Sequence, residues 1–108
     1  MIYYLRNQEL YQMPLAGGEE RGLALRVIQD DYEIMPDGIY YIAQTHGNRY
    51  RGGEIRFYDF ATRRERLVQT LGDLTLLFGF TVSPDRKTFL YSAEKGTTND
   101  LMLVENFR

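Results

Sequence analysis

With 108 residues, 44% of them hydrophobic and 26% charged, the chain has room for one domain, and its ordinary globular composition argues against disorder. A net charge of −2 gives no broad electrostatic reason to bind nucleic acid or anionic lipid, and the absence of Cys excludes both a disulfide framework and a thiolate metal site. Nine Tyr and six Phe lean towards strands.

Taken along the chain, a first unit (1–28) offers strands at 1–6, 9–15 and 20–27. A second unit (29–71) offers strands at 31–35, 39–45, 54–60 and 65–70, and a third (72–108) at 78–83, 88–94 and 100–105. Helix-period patterning and helix caps are lacking throughout, so the expected class is all-β and antiparallel, with roughly ten strands. The opening MIYYLRNQEL has no basic region followed by a long apolar run and is not a signal peptide. The longest apolar stretch, Leu74 to Val82, is broken by Thr75, Gly79 and Thr81 and is too short to span a bilayer. A soluble chain is expected, suited equally to the cytoplasm and the periplasm.

The units are copies of one another. Pro36-Asp37 recurs as Pro84-Asp85 at an offset of 48, and Ile39-Tyr40-Tyr41-Ile42-Ala43 recurs as Phe89-Leu90-Tyr91-Ser92-Ala93, with two residues inserted in the turn. Ile2-Tyr3-Tyr4-Leu5 opens a third copy. Glu9-Leu10-Tyr11-Gln12-Met13-Pro14-Leu15 likewise returns as Glu54-Ile55-Arg56-Phe57-Tyr58-Asp59-Phe60 and again from Asp100 to Phe107. The Pro-Asp pairs suit tight turns, since Pro presets φ and Asp bonds back to the backbone. Gly38 is expected to supply positive φ in the first turn, whereas Arg86 at the matching place in the second implies a different turn or tolerated strain.

Within a unit the pattern runs from apolar on both faces (39–43), through mixed (54–60), to polar (65–70). Small four-stranded sheets stacked face to face around an axis require that gradient, and a period of about 45 residues fits one β-propeller blade. The chain then holds about two and a half blades, short of the roughly four that close a propeller. The first unit lacks an inner strand and the last an outer one, which leaves unpaired edges. Completion by copies of the chain or by the rest of a larger propeller is expected.

SPDRKTFLYS is similar to the Ser-Pro-Asp-Gly-Lys turn-and-strand signature of TolB-like, WD-repeat-like bacterial β-propellers, and LYQMPLAGGEERGL resembles their outer strands. The closing DLMLVENFR resembles the C-terminal end of such propellers. The resemblance covers essentially the whole chain and implies a protein-binding or sensing scaffold rather than a catalyst. An alternative within it is the accessory propeller of a larger enzyme, such as a peptidase of the prolyl-oligopeptidase type.

Catalytic motifs are absent: the chain has no phosphate loop, no Gly-x-Ser-x-Gly elbow and no His-Glu-x-x-His, so no enzyme activity and no cofactor is expected. His46, the single histidine, gives no transition-metal cluster without Cys. The neighbouring pairs Glu19-Glu20 and Asp30-Asp31 are expected as solvated charges, because sequence neighbours in a strand point to opposite faces. Arg49-Tyr50-Arg51 with Arg56-Phe57-Tyr58 is the best basic and aromatic cluster for stacking bases. The negative total charge weighs against nucleic acid, and Phe57 and Tyr58 are expected to pack between blades. The favoured partner surface is the set of connections on one face. It comprises the Thr45–Gly53 loop with His46, Asn48, Arg49, Tyr50 and Arg51, the Gln29-Asp30-Asp31 connection, Leu71-Gly72-Asp73, and Glu94 to Asn99.

Overall fold

The computed structural model describes residues 1–44, 53–71, 75–95 and 98–105. They form nine strands: β1 (Ile2–Arg6), β2 (Glu9–Met13), β3 (Arg21–Ile34), β4 (Gly38–Ala43), β5 (Glu54–Asp59), β6 (Arg64–Thr70), β7 (Thr75–Val82), β8 (Thr88–Lys95) and β9 (Thr98–Glu105). The chain is all-β, and every pairing is antiparallel between sequence neighbours. Strands β1 to β6 follow one another in a six-stranded sheet and β7 to β9 form a second, three-stranded one. Neither sheet closes. None of the described residues belongs to a helix long and apolar enough to cross a membrane.

The strands expected at 20–27 and 31–35 are one strand, which is why nine are found where roughly ten were expected. The first half of β3 pairs with β2, through Arg21 opposite Gln12, and its last residues pair with β4, through Ile34 opposite Ile39. Between Val27 and Tyr32 the register with β4 shifts, so the segment crosses from one partner to the other without a turn. The six-stranded sheet thus reads as two ladders, β1–β2–β3 and β3–β4–β5–β6, joined through β3; β7–β8–β9 is the third ladder.

Local chemistry sets the hairpins. Asn7 (φ 52°) and Gln8 (φ 68°) are both left-handed between the paired Arg6 and Glu9, as a two-residue turn matched to strand twist requires. The β5–β6 turn is held by the Asp59 carboxylate, which accepts from Ala61 N at 2.8 Å, and by Arg63 N donating to Asp59 O at 2.8 Å. At the first Pro-Asp turn Met35 N donates to Gly38 O at 2.8 Å, which leaves Pro36 and Asp37 as the loop. At the second, Ser83 N donates to Thr88 O at 2.9 Å and encloses residues 84–87, so the expected insertion of two residues lies in the loop.

The central strand β4 is buried at every residue. Its alternate side chains enter two cores: Ile39, Tyr41 and Ala43 meet Leu10, Leu25 and Val27 of the first ladder, while Tyr40 and Ile42 meet Val82, Phe89 and Tyr91 of the third. The Tyr40 ring lies edge-on to Phe89, with centroids 5.2 Å apart, and against Phe57 at 4.6 Å. Burying each such large side chain contributes about 1.5–3 kcal/mol. Phe57 and Tyr58 also pack inside, one in each core, as their sequence setting implied. Strand β6 is the opposite case, exposed at all but one residue, so the expected drift from apolar to polar across a unit holds in the second ladder.

Candidate functional site

A cleft with converging charge is lined by residues of β3, β4, β5 and β6. Its volume is about 250 Å³, below the roughly 300–1,000 Å³ of drug-sized ligand sites. Ala24 and Ala43 keep it open because they are small, and Ala24 takes a left-handed φ of 60° where β3 bulges against β2. Tyr41, Arg26, Gln44, Glu54, Arg56 and Glu65 complete its lining.

The cleft chemistry centres on Glu65. The buried Tyr41 hydroxyl donates to Glu65 Oε1, and Arg56 Nε donates to the same oxygen at 3.2 Å. Arg56 also reaches across to Glu54, with Nη1 2.8 Å from Oε1, so one guanidinium bridges two carboxylates. Burial, and then the Glu65 carboxylate, push the Tyr41 hydroxyl well above its usual value of 10.0. Tyr41 is therefore a fixed donor at neutral pH and not an activated nucleophile. The arrangement ties β4 to β6 by the tyrosine hydrogen bond and β5 to β6 by the Arg56–Glu65 ion pair.

The first ladder carries the same device. The Tyr4 hydroxyl donates to Glu20 Oε2, and Arg6 binds both oxygens of that carboxylate, at 2.5 and 2.8 Å. Arg6 pulls Glu20 below the usual carboxylate value, with the Tyr4 hydroxyl adding to the effect. Tyr4 and Tyr11 stack with centroids 5.9 Å apart, and Arg6 lies 5.0 Å over the Tyr11 ring. The guanidinium has changed strands between the copies. In the first ladder it comes from β1 at Arg6, where the matching residue of β4 is Ala43; in the second it comes from β5 at Arg56, where the matching residue of β2 is Tyr11. The small Ala43 is what leaves room for the cleft.

A second polar seam joins the two Pro-Asp turns. Arg86 grips Asp37 with both guanidinium nitrogens, Nη2 at 2.6 Å and Nη1 at 2.9 Å. Arg86 holds Asp37 below the usual carboxylate range. Beside it, Thr81 Oγ1 donates to Glu33 Oε1 at 3.0 Å. Against a repeat offset of 48, Glu33 and Thr81 are equivalent positions, while Asp37 meets Arg86, the residue after its own equivalent Asp85.

Of the residues favoured for binding, His46, Asn48, Arg49, Tyr50 and Arg51 lie outside the described residues. Asp31 requires a correction. It was expected in an exposed connection, but that connection does not exist: Asp31 lies inside β3 and is fully buried, because the strand runs straight through the crossing. Asp30 shares that strand, and its side chain lies outside the described residues. Glu20 is likewise no free solvated charge, being tied to Tyr4 and Arg6. The tyrosine–glutamate pairs were not anticipated, although Tyr4 and Tyr41 already stood at matching places in the repeat. The missing signal was the second coincidence, Glu20 with Glu65, 45 residues apart. Among the described residues no three His, Cys, Asp or Glu side chains gather as a metal site. No family model, no curated protein and no solved structure matches the chain.

Proposed function

We propose that this chain is a non-catalytic β-propeller module, an interaction or sensing scaffold whose open sheets are completed by copies of itself or by the remainder of a larger propeller. The observation that carries this reading is the packing of three repeat-related ladders on one another through two apolar cores, with Glu33 of the second ladder bonded to its repeat equivalent Thr81 in the third. Units related by one repeat and packed face to face continue until the arrangement closes on itself. The described sheets stop short of that, with β1, β6, β7 and β9 as edges. Free edges are templates for pairing, and a heterologous contact between copies closes into a ring when the rotation permits.

The test is the absolute mass of the purified chain, by light scattering on a sizing column. A single defined oligomer is the expected result for self-completion, and a polydisperse sample that sharpens on adding further units is expected for a larger propeller. A stable, sharply melting monomer overturns the proposal.

A further inference from the structure

The tyrosine–glutamate device sits at the same register in both ladders that carry it. Tyr4, Tyr11 and Gly22 lie opposite one another across β1, β2 and β3, and Glu20, two residues before Gly22, accepts the Tyr4 hydroxyl. Tyr41, Arg56 and Leu67 lie opposite one another across β4, β5 and β6, and Glu65, two residues before Leu67, accepts the Tyr41 hydroxyl. Glu65 stands in the third strand of its row, and Glu20 is the residue immediately before the third strand of its own.

The third ladder starts the same row and does not finish it. Tyr91 of β8 lies opposite Met102 of β9, and among the described residues no strand pairs with the other edge of β9. Tyr91 is 3% exposed and packs in the core between the second and third ladders, as Tyr41 packs between the first and second. Among the described residues its hydroxyl has no hydrogen-bond partner, and burial alone raises its pKa. The two sister ladders give the hydroxyl at this place in the row a glutamate acceptor, and the third ladder supplies none among the described residues.

We propose that the open edge of β9 receives a further antiparallel strand carrying a glutamate two residues before the residue opposite Met102, and that this carboxylate accepts the Tyr91 hydroxyl. This rests on the completion of open edges proposed above and adds the chemistry by which the completing strand is chosen. The occupant is an extended segment of the kind the chain itself writes in the first half of β3 and in β6. An apolar or basic strand in the same register offers Tyr91 no such acceptor and forgoes that hydrogen bond.

The test builds the missing strand into the chain. Glu105 stands to Met102 as Asp59 stands to Arg56, so a copy of residues 60–70 placed directly after Glu105, instead of 106–108, puts its own Glu65 copy at the required position. The expected result is a chain that melts higher than the parent, with new protection of β9 amides from hydrogen exchange. Tyr91→Phe then lowers its Tm by about 5 °C. With Glu65→Leu in the grafted copy alone, which removes the acceptor, the loss is already present and Tyr91→Phe adds nothing further. If both grafts protect β9 and Tyr91→Phe shifts them equally, the edge takes a strand but the carboxylate does not select it, and the inference is overturned while the completion reading stands. If neither graft protects β9 or raises the Tm, the edge is not a receptor and both fall.

Discussion

The two Pro-Asp turns begin with the same dipeptide and reach opposite solutions. In the first, Pro36 and Asp37 alone form the loop, and Gly38 is already the first residue of β4, buried and paired with Asp59. Its φ is not among the left-handed ones, so positive φ, the reason expected for a glycine there, does not apply. A methyl group at Gly38 would collide with the Tyr58 carbonyl and the Phe57 ring, and close approach is what demands the glycine. In the second turn the loop is longer, and Arg86 takes φ 64°. Ser83 and Asp85 support it from within, through Lys87 N to Asp85 Oδ1 at 3.0 Å and Thr88 N to Ser83 Oγ at 3.1 Å. The left-handed strain, about 1–2 kcal/mol, is tolerated at a residue whose side chain reaches the other turn. Matching residues by their distance from a proline therefore misleads when loop lengths differ: Gly38 and Arg86 align but do different work.

This contrast is breakable, and the largest effect belongs to Gly38. Gly38→Ala is expected to cost about 3 kcal/mol or more, because the clash is with backbone rather than a flexible side chain. Denaturant melts check it, and a loss under 1 kcal/mol returns the glycine to an ordinary turn role. Acid gives an intermediate effect. The Arg86 guanidinium lowers Asp37, and the Ser83 hydroxyl lowers Asp85, both from an ordinary value of 3.8. Carboxylates depressed in the folded state contribute stability above their ordinary value, and that contribution fades as pH falls through the folded one. Stability measured from pH 7 downward is thus expected to hold until about pH 4 and then to decline, with a smaller decline in Asp37→Asn. The smallest effect is Arg86→Gly, which relieves the strain and removes an exposed ion pair worth about 0–1 kcal/mol. A net change within about 0.5 kcal/mol is expected; a loss above 2 kcal/mol would show that the link between turns outweighs its exposure.

How much of this was legible differs by element. Strands with matching apolar faces, such as 39–45 and 54–60, were visible because burial on both sides leaves a compositional trace. The crossing in β3 was not. Gln29-Asp30-Asp31 has the polarity of a surface connection, and the reason it lies inside a strand is the register shift against β4, which depends on packing rather than on local sequence. The tyrosine–glutamate pairs were hidden for a similar reason. Which carboxylate reaches Tyr41 depends on which residue of β6 stands opposite Arg56, and a bulge between Ile55 and Arg56 sets that register. Repeat alignment placed the tyrosines correctly without revealing their partners.

The unbroken run of β3 also bears on how the molecule comes apart. A repeat array joined by loops can shed an end unit at the cost of one interface. Here the first two ladders share a strand, so separating them means breaking the main-chain pairing of β3 to β2 or to β4 as well as the apolar core between them. The third ladder has no shared strand and is held by side-chain packing and the two seams of Thr81 and Arg86. The weak joint is therefore the interface between the second and third ladders, and partial opening detaches β7–β8–β9 as a unit while the first six strands melt together.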